Sequence, residues 1–217
     1  MTCPKRLLHA HTIMFDFLKQ LRRNRPMRIV ANGHPALRRL SEPIGAVTPD
    51  VEELARQLVR SLEESEVPGV GLAAPQIGVN RRMIAIHTCE EDGRSRPDAS
   101  PGELLLDPLM PVILINPEII ASSEETACAT EGCLSLPGVS GHVTRPARVT
   151  LHARLLDGQE VTAECGGLLA RCLQHEIDHL DGKLFYDRIP ADEQKAAVPV
   201  MRKLAQREAA LAAATAP

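Results

Sequence analysis

Aromatic residues are almost missing from this sequence: there is no Trp, one Tyr and three Phe among 217 residues. Its core must be built from Leu, Ile, Val, Ala and Met instead. Long apolar runs are missing too. No stretch approaches the roughly 18 or more residues of a membrane span, and no signal peptide with a small-residue cleavage site is evident, so a soluble chain with no membrane partner is expected. The six cysteines contain no C-x-x-C pair and lack the density of a disulfide-stapled mini-protein, which points to a reducing compartment. A large excess of positive charge is also absent. A net charge of −3 and a pI near 6.2 argue against a general nucleic-acid binder, whose affinity rests on many Lys and Arg. With no internal repeat and no convincing linker, the length suits one domain with tails.

Residues 1–26 differ from the rest. They carry Lys5, Arg6, Lys19, Arg22, Arg23 and Arg25 against a single acid, Asp16, and hold two of the three Phe. This basic extension reads as a transit peptide, or as an upstream start with Met27 the natural first residue. A cytoplasmic location is expected, organellar if the extension is a transit peptide. From residue 27 to 190 the text is that of a folded domain. The Ala-rich end, 191–217, reads as a surface helix interrupted near Pro199, followed by a frayed tail.

Within 27–190 the pattern gives a helix over about 48–66, with Thr48 able to cap it, Pro49 at the first helical position and Val51, Leu54, Leu58, Val59 and Leu62 at helical spacing. "RMIAIHT" reads as a short strand. Residues 89–111, rich in Pro and Gly, read as a long, partly ordered loop, and "VILINPEII" as a buried strand broken at Pro117. "RVTLHARLL" alternates Val149, Leu151, Ala153 and Leu155 inward, and Asp157-Gly158 turns it into "QEVTAEC" as a hairpin. A further helix is expected from near Gly167 to Gly182, a suitable C-terminal stop.

That helix carries "LQHEIDHLDG". The four-residue spacing stacks His175 and His179 one turn apart on one face, where two imidazoles can hold one metal ion beside Glu176. H-E-x-x-H alone is a modest signal, so a third ligand matters. Cys172 lies three residues before His175, but a short thiol nearly two turns from His179 is poorly placed. It reads as a site-lining or core residue. Cys133, in "TEGCLSLPG" outside any helical pattern, is the better candidate, though spacing alone does not prove that choice. Cys89, Cys128 and Cys165 read by default as small hydrophobes.

Three separated stretches, "GVGLAAPQ" at 69–76, "EGCLS" at 131–135 and "QHEIDH" at 174–179, resemble in sequence and order the three signature motifs of peptide deformylase. The resemblance extends from "MRIVANGHPALRR" to "KLFYDRIP", covering 27–190. It implies one divalent metal ion bound by Cys133, His175 and His179 with a water in the fourth position. Ferrous iron is the implied active ion, with Zn, Ni or Co as substitutes; the mixed His and Cys donor set does not itself choose. It also implies Glu176 as general base and acid, and Gln76 with the backbone N–H of Leu134 as oxyanion donors. The backbone at Gly71 would take the substrate as an added strand, with Val70, Glu131, Gly132, Leu168, Arg171 and Cys172 lining or bordering the methionine pocket.

The implied reaction removes the formyl group from the N-terminal formyl-methionine of new polypeptides and releases formate. Its partners would be formyl-methionyl peptides and nascent chains, hence a transient relation to the ribosome. The C-terminal helix, with Lys195, Arg202, Lys203 and Arg207, reads better as a solvated face than as a contact. No specific nucleic acid is expected. Some relatives carry an arginine that grips the peptide in the loop after the cysteine motif; Ser140 stands there here. Two other readings compete. A zinc endopeptidase usually takes its third ligand downstream of the helix, yet Leu180 to Tyr186 offers no His or Glu. A binding protein with a structural metal needs neither Glu176 nor Gln76. The expected fold is α+β, with short, mostly antiparallel strands around a central metal-binding helix and the 48–66 helix packed outside.

Overall fold

Seven strands and four helices position the site in the computed structural model, which describes residues 26–89 and 98–215. The strands are β1 (Gly71–Ala73), β2 (Met83–Ile86), β3 (Val112–Ser122), β4 (Thr126–Gly132), β5 (Ser140–Pro146), β6 (Val149–Arg154) and β7 (Glu160–Cys165). The helices are α1 (Pro49–Glu63), α2 (Pro101–Leu106), α3 (Gly167–Leu180) and α4 (Ala191–Thr215). Every strand pairing is antiparallel: five strands form one sheet in the order β1-β2-β3-β6-β7, and β4-β5 forms a separate ribbon. The basic segment 1–25 lies outside the described residues.

The period-two alternation of the sheet decides which helix covers which face. Ile84, Ile86, Val112 and Leu114 pack on the α3 side with Leu169, Leu173 and Leu180. Met83, Ala85, Ile113 and Ile115 face the other way and pack with Val51, Leu54, Leu58 and Leu62 of α1. Fully burying one such leucine stabilises the fold by about 1.5–3 kcal/mol. A third cluster joins Val30, Leu136, Val139, Val143 and Phe185 to Met201 and Leu204 of α4.

Several local readings need correction. Thr48 occupies the cap position of α1 but its side chain makes no capping bond; Pro49 and the acids Asp50 and Glu52 start the helix instead. The stretch 89–111 is not all loop. Ser100 and Glu103 form a reciprocal capping box that starts α2 with Pro101 in its first turn. Strand β3 is not broken at Pro117 but runs through it with two register shifts, because Pro117 sits where the strand passes from β2 to β6 and no ladder bond is required. The bulge is fixed by Asn116, with φ of +50°, whose side-chain amide exchanges two 2.8 Å hydrogen bonds with the backbone of Ile44. Pro199 does not interrupt α4, which continues to Thr215. Its neighbours on that turn face solvent, where the freed carbonyl can be hydrated. Cys128 is exposed on β4, unlike buried Cys165.

Candidate active site

α3 ends where its sequence stops favouring helix. Gly182 adopts φ of +70°, and its N–H and that of Lys183 return to the carbonyls of His179 and Asp178. The helix therefore delivers five buried polar side chains, Gln174, His175, Glu176, Asp178 and His179, into the interior within less than two turns. Such a row is costly unless each group is paired or has a use.

Cys133, just after β4, meets this row. Its Sγ lies 3.2 Å from His179 Nε2, and one donor atom from each of Cys133, His175 and His179 falls within 4.8 Å of the others. The imidazoles cross at 70° with centroids 5.1 Å apart. His175 Nδ1 is engaged by Glu131 Oε2 at 2.9 Å, so the nitrogen left for the group is Nε2. One thiol and two imidazoles make a borderline donor set suited to a divalent transition ion, and three protein donors leave a position open. Oε2 of Glu176, buried beside this group, has no hydrogen-bond partner among the described residues. These residues fit a metal ion.

The first motif closes the site from the sheet edge. Gln76, in a short 3-10 helix after β1, accepts the Ala73 N–H at Oε1 over 2.8 Å. Only an oxygen can accept there, so the amide NH2 must face the other way, toward Cys133 Sγ at 3.5 Å and Ser135 Oγ at 3.3 Å. Gly71 lies so close to α3 that a Cβ there would meet Cys172 Sγ at 2.6 Å and Glu176 Oε1 at 2.7 Å. A cleft of about 850 Å³ opens over these groups. Val70, Gly71, Gly132, Leu134, Leu168 and Arg171 line it.

The placement of Glu131 and Arg171 gives them a further role beyond lining. Glu131 is buried behind His175 and held by Arg145 at 2.7 and 2.9 Å and by Arg171 at 2.7 Å. Arg145, only 3% exposed, also reaches Asp178 on α3 at 2.8 Å. Burial pushes the Glu131 carboxyl up, but the hydrogen bonds from Arg145 and His175 outweigh it and hold it well below the usual carboxylate range. Burial pushes Glu176 up to about 7, against the opposing pull of His175 and Arg145. Burial and the Glu176 charge push the Cys172 thiol well up. Arg145, Asp178 and Ser135 escaped the sequence reading. Arg145 falls in step with buried Val143 on β5, but an arginine there cannot be read as buried until its partners, 14 and 33 positions away, are placed. Ser140, expected in the loop after the cysteine motif, is instead the first residue of β5 and is exposed.

The comparisons with known proteins agree. The family model described as Polypeptide deformylase matches residues 26–195. The chain is 43% identical over 164 residues to peptide deformylase 2 of Gloeobacter violaceus, covering 76% of this chain and 79% of that one. It is 40% identical over 161 residues to the peptide deformylase of Natranaerobius thermophilus, covering 74% and 90%. Among solved structures, the peptide deformylase of Legionella pneumophila superposes with a TM-score of 0.70 at 30% identity, covering 85% of this chain and 98% of that one. Resemblance in motif, match of the family model and shared architecture converge: this chain belongs to the peptide deformylase family.

Proposed function

We propose that this chain hydrolyses the N-formyl group from formyl-methionyl peptides and nascent polypeptides, releasing formate. The observation that carries the reading is the convergence of the three motif segments: Gln76, Cys133, His175 and Glu176 line one cleft, and His179 stands buried behind them, 3.2 Å from Cys133 Sγ. Cys133, His175 and His179 would hold the divalent ion, ferrous iron by family resemblance. When bound, such an ion supplies an acidified water and polarises a carbonyl oxygen.

The protein's own groups do the rest. β1 is an edge strand of the sheet, so an extended peptide can add beside Gly71 with its methionine side chain toward Val70, Leu168 and Cys172. The formyl carbon then lies over the donor group. The Gln76 NH2 and the Leu134 N–H face the carbonyl oxygen as it gains charge. Glu176 takes one proton from the attacking water and passes it to the amine nitrogen as the C–N bond breaks, which leaves formate and a free amino terminus. Arg145 and Arg171 keep Glu131 ionised behind His175 throughout. Substrates emerging from translation imply a transient encounter with the ribosome; among the described residues, no helix is long and apolar enough to cross a membrane.

The test is anaerobic release of formate from a formyl-Met tripeptide by metal-stripped protein reloaded with ferrous iron. Release that depends on reloading supports the proposal. No release from protein carrying stoichiometric metal contradicts it.

A further inference from the structure

The family match stops at residue 195, yet α4 continues to Thr215. Its outer part is fastened to the molecule by a polar contact rather than by packing alone. Glu208, 4% exposed, receives Arg28 through both guanidinium NH2 groups at 2.5 and 2.9 Å and the backbone N–H of Ala31 at 2.9 Å. One residue further, Asn32 Nδ2 donates to the Met201 carbonyl at 2.9 Å. Gly33, with φ of +103°, presses on α4 so closely that a Cβ would lie 2.7 Å from Ala205 Cα.

Segment 28–32 thus lies under α4, and its other face holds the site. The Val30 N–H donates to the Gln76 carbonyl at 2.8 Å, and the Asn32 N–H to the Ser135 carbonyl at 3.0 Å. Those two residues are the pair whose side chains meet beside Cys133. Alternate amides of one short strap therefore divide their bonds: Ala31 goes to α4, Val30 and Asn32 to the two motifs. The same helix braces the loop after the cysteine motif. Val200 lies against Gly138, and Glu193 accepts the His142 N–H at 2.8 Å.

We propose that Glu208 is a positioning residue: by fixing residues 28–32 it sets where Gln76 and Ser135 stand relative to Cys133. This rests on the reading of Gln76 as an oxyanion donor. Arg28 is half exposed, so water screens its ion pair. The buried acceptor for the Ala31 N–H is the part that fixes the backbone. Glu208→Gln retains an acceptor there, whereas Glu208→Ala leaves the amide without one.

The experiment measures kcat, KM and bound metal for formyl-Met tripeptide with Glu208→Ala, Glu208→Gln and Gln76→Ala, together with hydrogen exchange at the amides of residues 30–32. Small misplacements of reacting groups cost up to about 100-fold. Glu208→Ala is expected to lose about tenfold or more in kcat with KM nearly unchanged, full metal content and faster exchange at Val30 and Asn32; Glu208→Gln is expected to keep most of both. Native kcat in Glu208→Ala beside a crippled Gln76→Ala overturns the positioning role and leaves the function standing. Full activity in Gln76→Ala overturns the oxyanion reading itself. If Glu208→Ala does not fold, native kcat in Arg28→Met together with faster exchange at Val30 and Asn32 overturns the role equally.

Discussion

Glu131 Oε2 stands 2.9 Å from His175 Nδ1, and the same carboxylate takes two hydrogen bonds from Arg145 and one from Arg171. A carboxylate so held can only accept, which assigns the proton of His175 to Nδ1 and leaves Nε2 with its lone pair toward Cys133 and His179. Arg145 extends the link to Asp178, so strand β5 ties the segment bearing the cysteine to the helix bearing the histidines.

Glu131→Gln removes the charge that orders this arrangement while nearly preserving its shape. Metal affinity is expected to fall about 10- to 100-fold, as for other partners of ligating histidines. Competition against a chelator of known affinity checks it; unchanged affinity would detach Glu131 from the metal site.

Gly71→Ala places a methyl carbon 2.6 Å from Cys172 Sγ and 2.7 Å from Glu176 Oε1, well inside van der Waals contact. Activity is expected to fall more than about tenfold, since an error of 1 Å at reacting groups can cost more than that, while the far-ultraviolet circular dichroism stays native. Adding Cys172→Ala relieves the sulfur clash alone, so the double variant should remain less active than Cys172→Ala. Equal activity would show that Glu176 can move aside at no cost.

Gln76→Ala deletes the amide that Ala73 orients toward Cys133. Losing one oxyanion donor typically costs about 10²–10³ in kcat. Saturation kinetics on protein with full metal content is the check, and a change confined to KM would contradict the assignment.

Acid stability should report the strap under α4. The hydrogen bond from Arg28, aided by the Ala31 N–H and opposed by burial, holds the Glu208 carboxyl below its usual value. A depressed folded-state pKa contributes stability that is fully present above the unfolded pKa, about 4.3, and is lost as pH falls through the folded value. As pH is lowered from neutrality to below about 4.3, the Glu208→Gln variant should therefore lose less Tm than the native protein. Parallel Tm curves over that range would remove Glu208 from the acid response.

The parts of the fold that local pattern controls were legible in the sequence. α3 announces itself by its histidine spacing and by Gly182, and the β6-β7 hairpin by four alternating apolar residues and Asp157-Gly158. Pro117 misled, because a proline breaks a strand only where a ladder bond is due, and the change of partner at the bulge is not a local property. The capping box at Ser100 and Glu103 was readable but hidden in a stretch full of Pro and Gly. Cys133 stood out by lying outside any helical pattern, yet its nearness to His179 across 46 positions depends on how β4 meets α3. Arg145, Asp178 and Glu208 were not legible at all. A buried ion pair and a surface charge look alike until both partners are placed.

The central claim is that Glu176 moves the proton in a metal-assisted deformylation. Its most direct test is formate release from a formyl-Met tripeptide, under anaerobic conditions, by ferrous-loaded native protein and by Glu176→Ala prepared identically and carrying the same metal content. The account predicts rapid release by the native protein and a loss of at least about 10²-fold in the variant. Comparable rates from the two proteins would contradict it.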